Sequence, residues 1–147
     1  MYKRILVGLD GSSRGLRTAE AAAGLAATFG AELHLLTVTR PYAVSPEVQG
    51  YLEAENLLGE PRYVLDEKTQ AIVDKAKAIA EQKRVRKVQI VVREGKPAGV
   101  LVDYAKSHKM DLLVVGSRGL GELEAVLLGS VSHKVSQLAG CSVLIVR

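Results

Sequence analysis

A chain of 147 residues, 48% hydrophobic and 24% charged, has the balance of one soluble globular domain and not that of a disordered chain. Its net charge of +4 is mild, and a single cysteine, Cys141, excludes an intrachain disulfide and argues against a thiolate zinc site. With five Tyr, one Phe and no Trp, the core must come from Val, Leu, Ile and Ala, which suits buried parallel strands under close-packed helices.

The amino terminus reads Met1-Tyr2-Lys3-Arg4 and enters a strand pattern within a few residues, without the apolar stretch of a signal peptide. No run approaches the roughly 20 apolar residues of a membrane helix, so a cytoplasmic location and no membrane partner are expected. Ile5–Leu9 is a short apolar run that reads as a buried strand. A helix is expected from Ser12 or Ser13, either of which could cap it, to Phe29-Gly30, with Leu16, Ala19, Ala22, Ala23, Ala26 and Phe29 on its apolar face. Leu33–Val38 is the second strand. Thr39 to Arg62 then carries three of the four prolines and breaks the rhythm. A stretch of that length is expected to be a functional lid or disordered, with a short helix around Glu47 to Leu57.

A second helix is expected from Asp66 to Lys83, with Ile72, Val73, Ala76, Ile79 and Ala80 as its stripe. The cluster Lys83, Arg84, Arg86 and Lys87 follows. Cations suit a helix carboxyl end, and without interleaved aromatics the cluster does not suggest nucleic acid. Val88–Val92 is the third strand. The next helix opens at Pro97, a good first-turn residue, and carries Val100, Leu101, Tyr104 and Ala105 inward. Leu112–Val115 is the fourth strand, a last helix runs from Gly129-Ser130 to before Gly140, and Val143–Val146 closes the chain. Strand and helix thus alternate throughout. Crossovers containing a helix join parallel strands, which predicts one domain over 1–147: an α/β open doubly wound five-stranded parallel sheet with helices on both faces.

In such sheets ligands bind beyond the carboxyl ends of the strands. The most informative segment there is Gly116-Ser117-Arg118-Gly119, nine residues, then Gly129-Ser130-Val131-Ser132. Glycines allow positive φ and close approach, and successive backbone N–H groups in such turns form an anion-binding concavity. Gly129-Ser130 sits where a helix begins and adds a second anion site. Ser130 can donate its hydroxyl to a phosphate oxygen and Arg118 a charge-assisted contact. Two anion sites on one connection suit a di- or triphosphate. Each feature alone also has a structural reading, since Gly turns the chain after a parallel strand and Gly-Ser is an ordinary helix cap.

The pattern G-x-x-G-x9-G-[ST] after the fourth strand resembles the ATP-binding signature of the universal stress protein family. The resemblance extends to Ile5-Leu6-Val7-Gly8-Leu9-Asp10-Gly11-Ser12, Gly95-Lys96-Pro97, Asp111 to Gly119 and Ser142 to Val146. It implies the strand order 3-2-1-4-5. It implies that Leu9 and Asp10 meet adenine and ribose, that Val38 packs on adenine, and that Val115 and Gly116 continue the nucleoside pocket. Arg118, Gly119, Gly129, Ser130 and Val131 would hold the phosphates of ATP, ADP or AMP, with Mg2+ or Mn2+ on the phosphate oxygens. It also implies a regulatory, stress-response homodimer paired through 142–147. Asp10 retains the alternative of merely starting a turn before the first helix.

The P-loop pattern G-x-x-x-x-G-K-[ST] is absent, and Gly119-Leu120-Gly121 lacks the third glycine of a dinucleotide fingerprint. His34, His108 and His133 lie far apart without metal-ligand or Ser-His spacing, and no G-x-S-x-G elbow is present. No catalytic or protein-held metal residues are therefore expected, and efficient turnover is not. Slow ATP hydrolysis, or phosphotransfer to Ser130 or Ser132, is the alternative use of the same site.

Overall fold

Ile5, Val7 and Leu9 point to one side of the first strand and Leu6 to the other, and all four are buried. A strand apolar on both faces must lie inside a sheet covered on both sides. The computed structural model, which describes residues 1–39, 65–118 and 128–147, shows this arrangement. Strands β1 (Arg4–Leu9), β2 (Glu32–Thr39), β3 (Lys87–Glu94), β4 (Leu112–Gly116) and β5 (Ser142–Val146) form one parallel sheet in the order β3-β2-β1-β4-β5. Between them come α1 (Gly15–Phe29), α2 (Glu67–Gln82), α3 (Pro97–Ser107) and α4 (Ser130–Leu138). The expected short helix around Glu47 to Leu57, with the rest of that stretch, lies outside the described residues.

The two faces have separate cores. Ile5, Val7, Leu33, Leu35, Leu112 and Val114 meet Ala19, Ala22, Ala23 and Ala26 of α1 and Val73, Ala76 and Ala80 of α2. Leu6, Leu36, Val91, Leu113 and Val115 meet Leu101, Tyr104 and Ala105 of α3 and Val135 of α4. Alternate residues of each strand serve opposite faces, as the period of two requires.

Local details correct four expectations. Neither Ser12 nor Ser13 caps α1. Gly15, Leu16 and Arg17 instead donate to the carbonyls three residues back, and the residue before the helix, Arg14, makes no side-chain cap bond. Phe29 is 39% exposed and stands edge-on to Tyr2, so the buried face of α1 is built of alanines with Gly15 and Thr18. Ile79 and Val100 are only partly buried and border the two cores. The glycines at 116 and 129 are not in the left-handed region: Gly129 has φ −69°, and the positive-φ glycines among the described residues are Gly11, Gly30 and Gly95.

Other helix ends follow the expected chemistry. Asp66 accepts from Thr69 N–H at 2.7 Å and starts α2, and that bond holds its carboxyl below the usual range. Within the basic cluster, Arg84 takes a left-handed φ of 58° just past α2. Lys83 and Lys87 reach Glu20 at 4.0 Å and Glu32 at 3.2 Å. No helix of the described residues is long and apolar enough to cross a membrane.

Candidate functional site

Strand β1 runs beside β2 along its whole length, ending at Leu9 opposite Thr37. Its pairing with β4 stops earlier, at Val7 opposite Val114. The sheet therefore splits at the carboxyl ends of β1 and β4, where the order of successive strands across the sheet reverses. This is the place where doubly wound sheets hold ligands.

A cavity of about 430 Å3 opens at the split. Leu9, Asp10, Val38, Val115, Gly116, Arg118, Gly129, Ser130 and Val131, dispersed along the sequence, all line it. Gly119 lies outside the described residues. The lining also includes residues for which the sequence offered no motif, Arg14, Gly15, Thr18 and Leu101 among them. The volume is within the range of small-molecule sites, roughly 300–1,000 Å3. Leu36, Val38, Leu101 and Val115, which belong to one core, give it an apolar lining, and Arg14, Arg118, the start of α4 and hydroxyls give it a polar one.

Asp10 leaves β1 exposed at the cavity rim, and its Oδ1 accepts from the Ser12 N–H at 2.9 Å. The turn reading of this carboxylate is thus part of its role. Gly11 follows at φ 82°, and a Cβ there would stand 2.6 Å from Thr69 Oγ1, so the turn needs glycine on both counts. Gly116 is closely packed: a Cβ would come within 3.3 Å of Thr18 Oγ1 and 3.4 Å of the Arg118 carbonyl oxygen, so a larger residue would press on Thr18.

The far wall is set by hydrogen bonds. Ser117 N–H donates to the Val146 carbonyl at 2.8 Å, and the Ser117 carbonyl accepts from Gly129 N–H at 2.6 Å. Gly129 has extended backbone and α4 starts at Ser130, so the first turn of that helix points its N–H groups at the cavity region. Ser132 is 1% exposed and its hydroxyl lies 3.0 Å from the carbonyls of both Ser117 and Gly129, sharing one proton between them. That hydroxyl is a structural tie, and Ser130 is the exposed one of the pair.

Among the described residues no cluster of three or more His, Cys, Asp and Glu side chains could hold a metal. The Cys141 thiol is pushed up by burial, away from a reactive thiolate. His133 is exposed on α4. His34 and His108, distant in sequence, converge around Tyr104: its hydroxyl bonds His34 Nδ1 at 2.8 Å, and its ring stacks on His108 at 3.8 Å. Neither lines the cavity. Sequence spacing held no sign of this grouping.

The chain matches the profile of the universal stress protein family over residues 1–147. It belongs to that family. Universal stress protein YxiE of Bacillus subtilis is 38% identical over the full length of both chains. A universal stress protein of Methanocaldococcus jannaschii is 37% identical over 100% of this chain and 83% of its own. Among solved structures, a universal stress protein in complex with cAMP is 30% identical, with a TM-score of 0.71 over 99% of this chain and 97% of that one. The protein UspA from Lactobacillus plantarum is 25% identical with a TM-score of 0.71, covering 99% and 98%. As a universal stress protein, the chain has the sheet order and helical layers that the resemblance implied.

Proposed function

We propose that this universal stress protein binds ATP in the cavity at the carboxyl ends of β1 and β4, and acts as a regulatory nucleotide-binding homodimer rather than as an efficient enzyme. The observation that carries the reading is one cavity whose lining joins apolar side chains, Val38 and Val115, to anion-attracting groups at Arg118, Gly129 and Ser130. That polarity matches a nucleoside joined to phosphates. The family relative solved with cAMP supports an adenine nucleotide as the class of ligand.

In this reading Leu9, Val38, Val115 and Gly116 surround adenine and ribose, and Asp10 accepts from a ribose hydroxyl. Arg118, Gly119, Gly129, Ser130 and Val131 contact the phosphates through N–H groups, a guanidinium and a hydroxyl. Asp10 is the one carboxylate among the described lining residues, which therefore offer no metal cage. Mg2+ or Mn2+ fits here only as an ion carried on the phosphates, completed by water, with Asp10 its nearest anionic side chain.

The dimer reading is supported by β5. It is an edge strand with half-buried Val143, Leu144, Ile145 and Val146, and such an edge is a liability unless covered. In this reading occupancy is the signal, since the described lining holds one carboxylate and no histidine or cysteine; ATP shifts an equilibrium only through different affinity for two states. A cytoplasmic location accords with this role.

The test is ATP titration of the purified protein, alongside acid extraction of any bound nucleotide. Gly129→Val combined with Ser130→Ala should abolish binding while circular dichroism stays native. Unchanged affinity in that double variant would refute the site. Steady hydrolysis above about 1 per second, an ordinary enzyme rate, would refute the regulatory reading in favour of catalysis.

A further inference from the structure

A second cavity, of about 190 Å3, adjoins the first. It shares Arg14, Thr18, Gly116 and Arg118 with the nucleotide cavity and adds Arg17 and Arg147, among others. No carboxylate side chain lines it among the described residues. Among those residues no ion pair joins an acidic side chain to Arg14, Arg17 or Arg147.

The start of α1 sharpens the point. Arg14 immediately precedes the helix, Arg17 lies in its first turn, and that turn holds no acidic residue. The amino end of a helix carries partial positive charge and favours anions, so two arginines there repel both the helix and each other. Asp10 is the acid at this end of the helix, its Oδ1 4.0 Å from where a Cβ on Gly15 would stand, but it does not line the arginine cavity. Two cations against one carboxylate at a helix start are the kind of departure that marks a functional site. A bound polyanion would relieve it. Guanidinium forks match phosphoryl oxygens in geometry and bind them in paired, charge-assisted bonds.

We propose that Arg14, Arg17, Arg118 and Arg147 form a second phosphoryl-anion site, continuous with the nucleotide cavity. It takes either the phosphates beyond the third of a longer-chain adenine nucleotide or a separate pyrophosphate. The inference rests on the nucleotide reading for the first of these ligands only. Arg17 and Arg147 line the second cavity alone and are exposed on the surface, so they can be changed without touching the nucleotide wall.

The experiment is calorimetric titration of the full chain at fixed ionic strength with ATP, adenosine 5′-tetraphosphate and inorganic pyrophosphate, the last with and without saturating ATP. Adenosine tetraphosphate should bind at least about tenfold tighter than ATP, equivalent to about 1.4 kcal/mol. It should also displace pyrophosphate. The double variant Arg17→Gln with Arg147→Gln should lose both the preference and pyrophosphate binding, at unchanged ATP affinity and melting temperature. Pyrophosphate binding that needs Arg17 and Arg147, without a tetraphosphate preference, supports the site and assigns it a separate anion. Equal affinity for the two nucleotides with no pyrophosphate binding overturns the proposal, as does survival of either effect in the double variant. If ATP itself fails to bind, the nucleotide reading falls, and the pyrophosphate titration alone decides the arginine site.

Discussion

The hydroxyl of Ser132 lies 3.0 Å from the carbonyl oxygen of Ser117, fifteen residues earlier in the chain. The same carbonyl accepts from Gly129 N–H at 2.6 Å, and Ser117 N–H is bound to Val146. These bonds fix both ends of the connection between β4 and α4, and with it the spacing of Arg118 from Ser130. Removing the hydroxyl leaves buried carbonyls short of a donor. Ser132→Ala should cost about 1–2 kcal/mol of stability in urea denaturation. It should also weaken ATP binding about tenfold. Ser136→Ala is the control: its exposed hydroxyl bonds only the His133 carbonyl three residues back, and stability should stay within about 0.5 kcal/mol.

Asp10 joins a turn to the cavity, and a pair of variants separates the two roles. Asp10→Asn keeps an oxygen that can accept from Ser12 N–H, so stability should change by less than about 0.5 kcal/mol. Asp10→Ala loses that acceptor and should cost about 0.5–2 kcal/mol, the scale of a lost capping bond. Both should weaken ATP binding if the carboxylate meets the ribose. Thermal melts and ATP titrations of the two variants together check this, and full ATP affinity in Asp10→Ala would reduce the residue to its turn.

Backbone conformation predicts opposite signs for changes that look alike. Gly11→Ala places a Cβ at φ 82° against Thr69 Oγ1 and should destabilise by about 1–3 kcal/mol. Gly24→Ala, within α1 where an added Cβ meets nothing within 4 Å, should stabilise by about 0.5–1 kcal/mol. Arg84 and Lys109 hold left-handed φ angles of 58° and 52° after α2 and α3. Arg84→Gly and Lys109→Gly should therefore each raise stability, by up to about 1 kcal/mol. Chemical denaturation of the four variants decides the signs.

The architecture was readable because β-branched and leucine runs alternate with alanine-rich helical stripes, and helical crossovers admit one handedness. Strand order was not readable from those runs; it came with the family resemblance, since nothing in Ile5–Leu9 states that β4 will be its neighbour. Phe29 shows the limit of periodicity. It falls on the helical period of α1 but is the last residue of that helix, where it meets Tyr2 edge-on and stays 39% exposed. The cavity residues that carry glycine or follow a strand were visible from their types. Arg14 and Thr18 were not, because a cation at a helix start looks like ordinary surface until the fold brings it beside Arg118. His34 and His108 meet only through Tyr104, a tertiary contact that no spacing encodes.

That meeting gives the fold a pH dependence. His34 is 5% exposed; its Nδ1 shares a hydrogen bond with the Tyr104 hydroxyl, and Nε2 faces Glu32 at 3.7 Å, too far for a hydrogen bond. Burial lowers the imidazole below its ordinary 6.5, assisted by His108 and Lys87 and opposed by Glu32. The unfolded chain therefore takes up the proton first. The neutral-histidine contribution to stability is fully present above about pH 6.5 and is lost as pH falls through the lower folded value. The carboxyls of Glu32 and Asp66 are held below 4.5 and 3.8 and titrate in a separate, more acidic window. Urea denaturation at pH 7.5, 6.5 and 5.5 should show stability falling with pH. His34→Gln should flatten that slope. Glu32→Gln should steepen it, since the carboxylate that favours the charged ring is gone. Tyr104→Phe should cost about 1–3 kcal/mol at pH 7.5 by leaving Nδ1 buried without its hydrogen-bond partner. A slope unchanged in His34→Gln would assign the pH dependence to other groups and leave the buried imidazole a purely packed side chain.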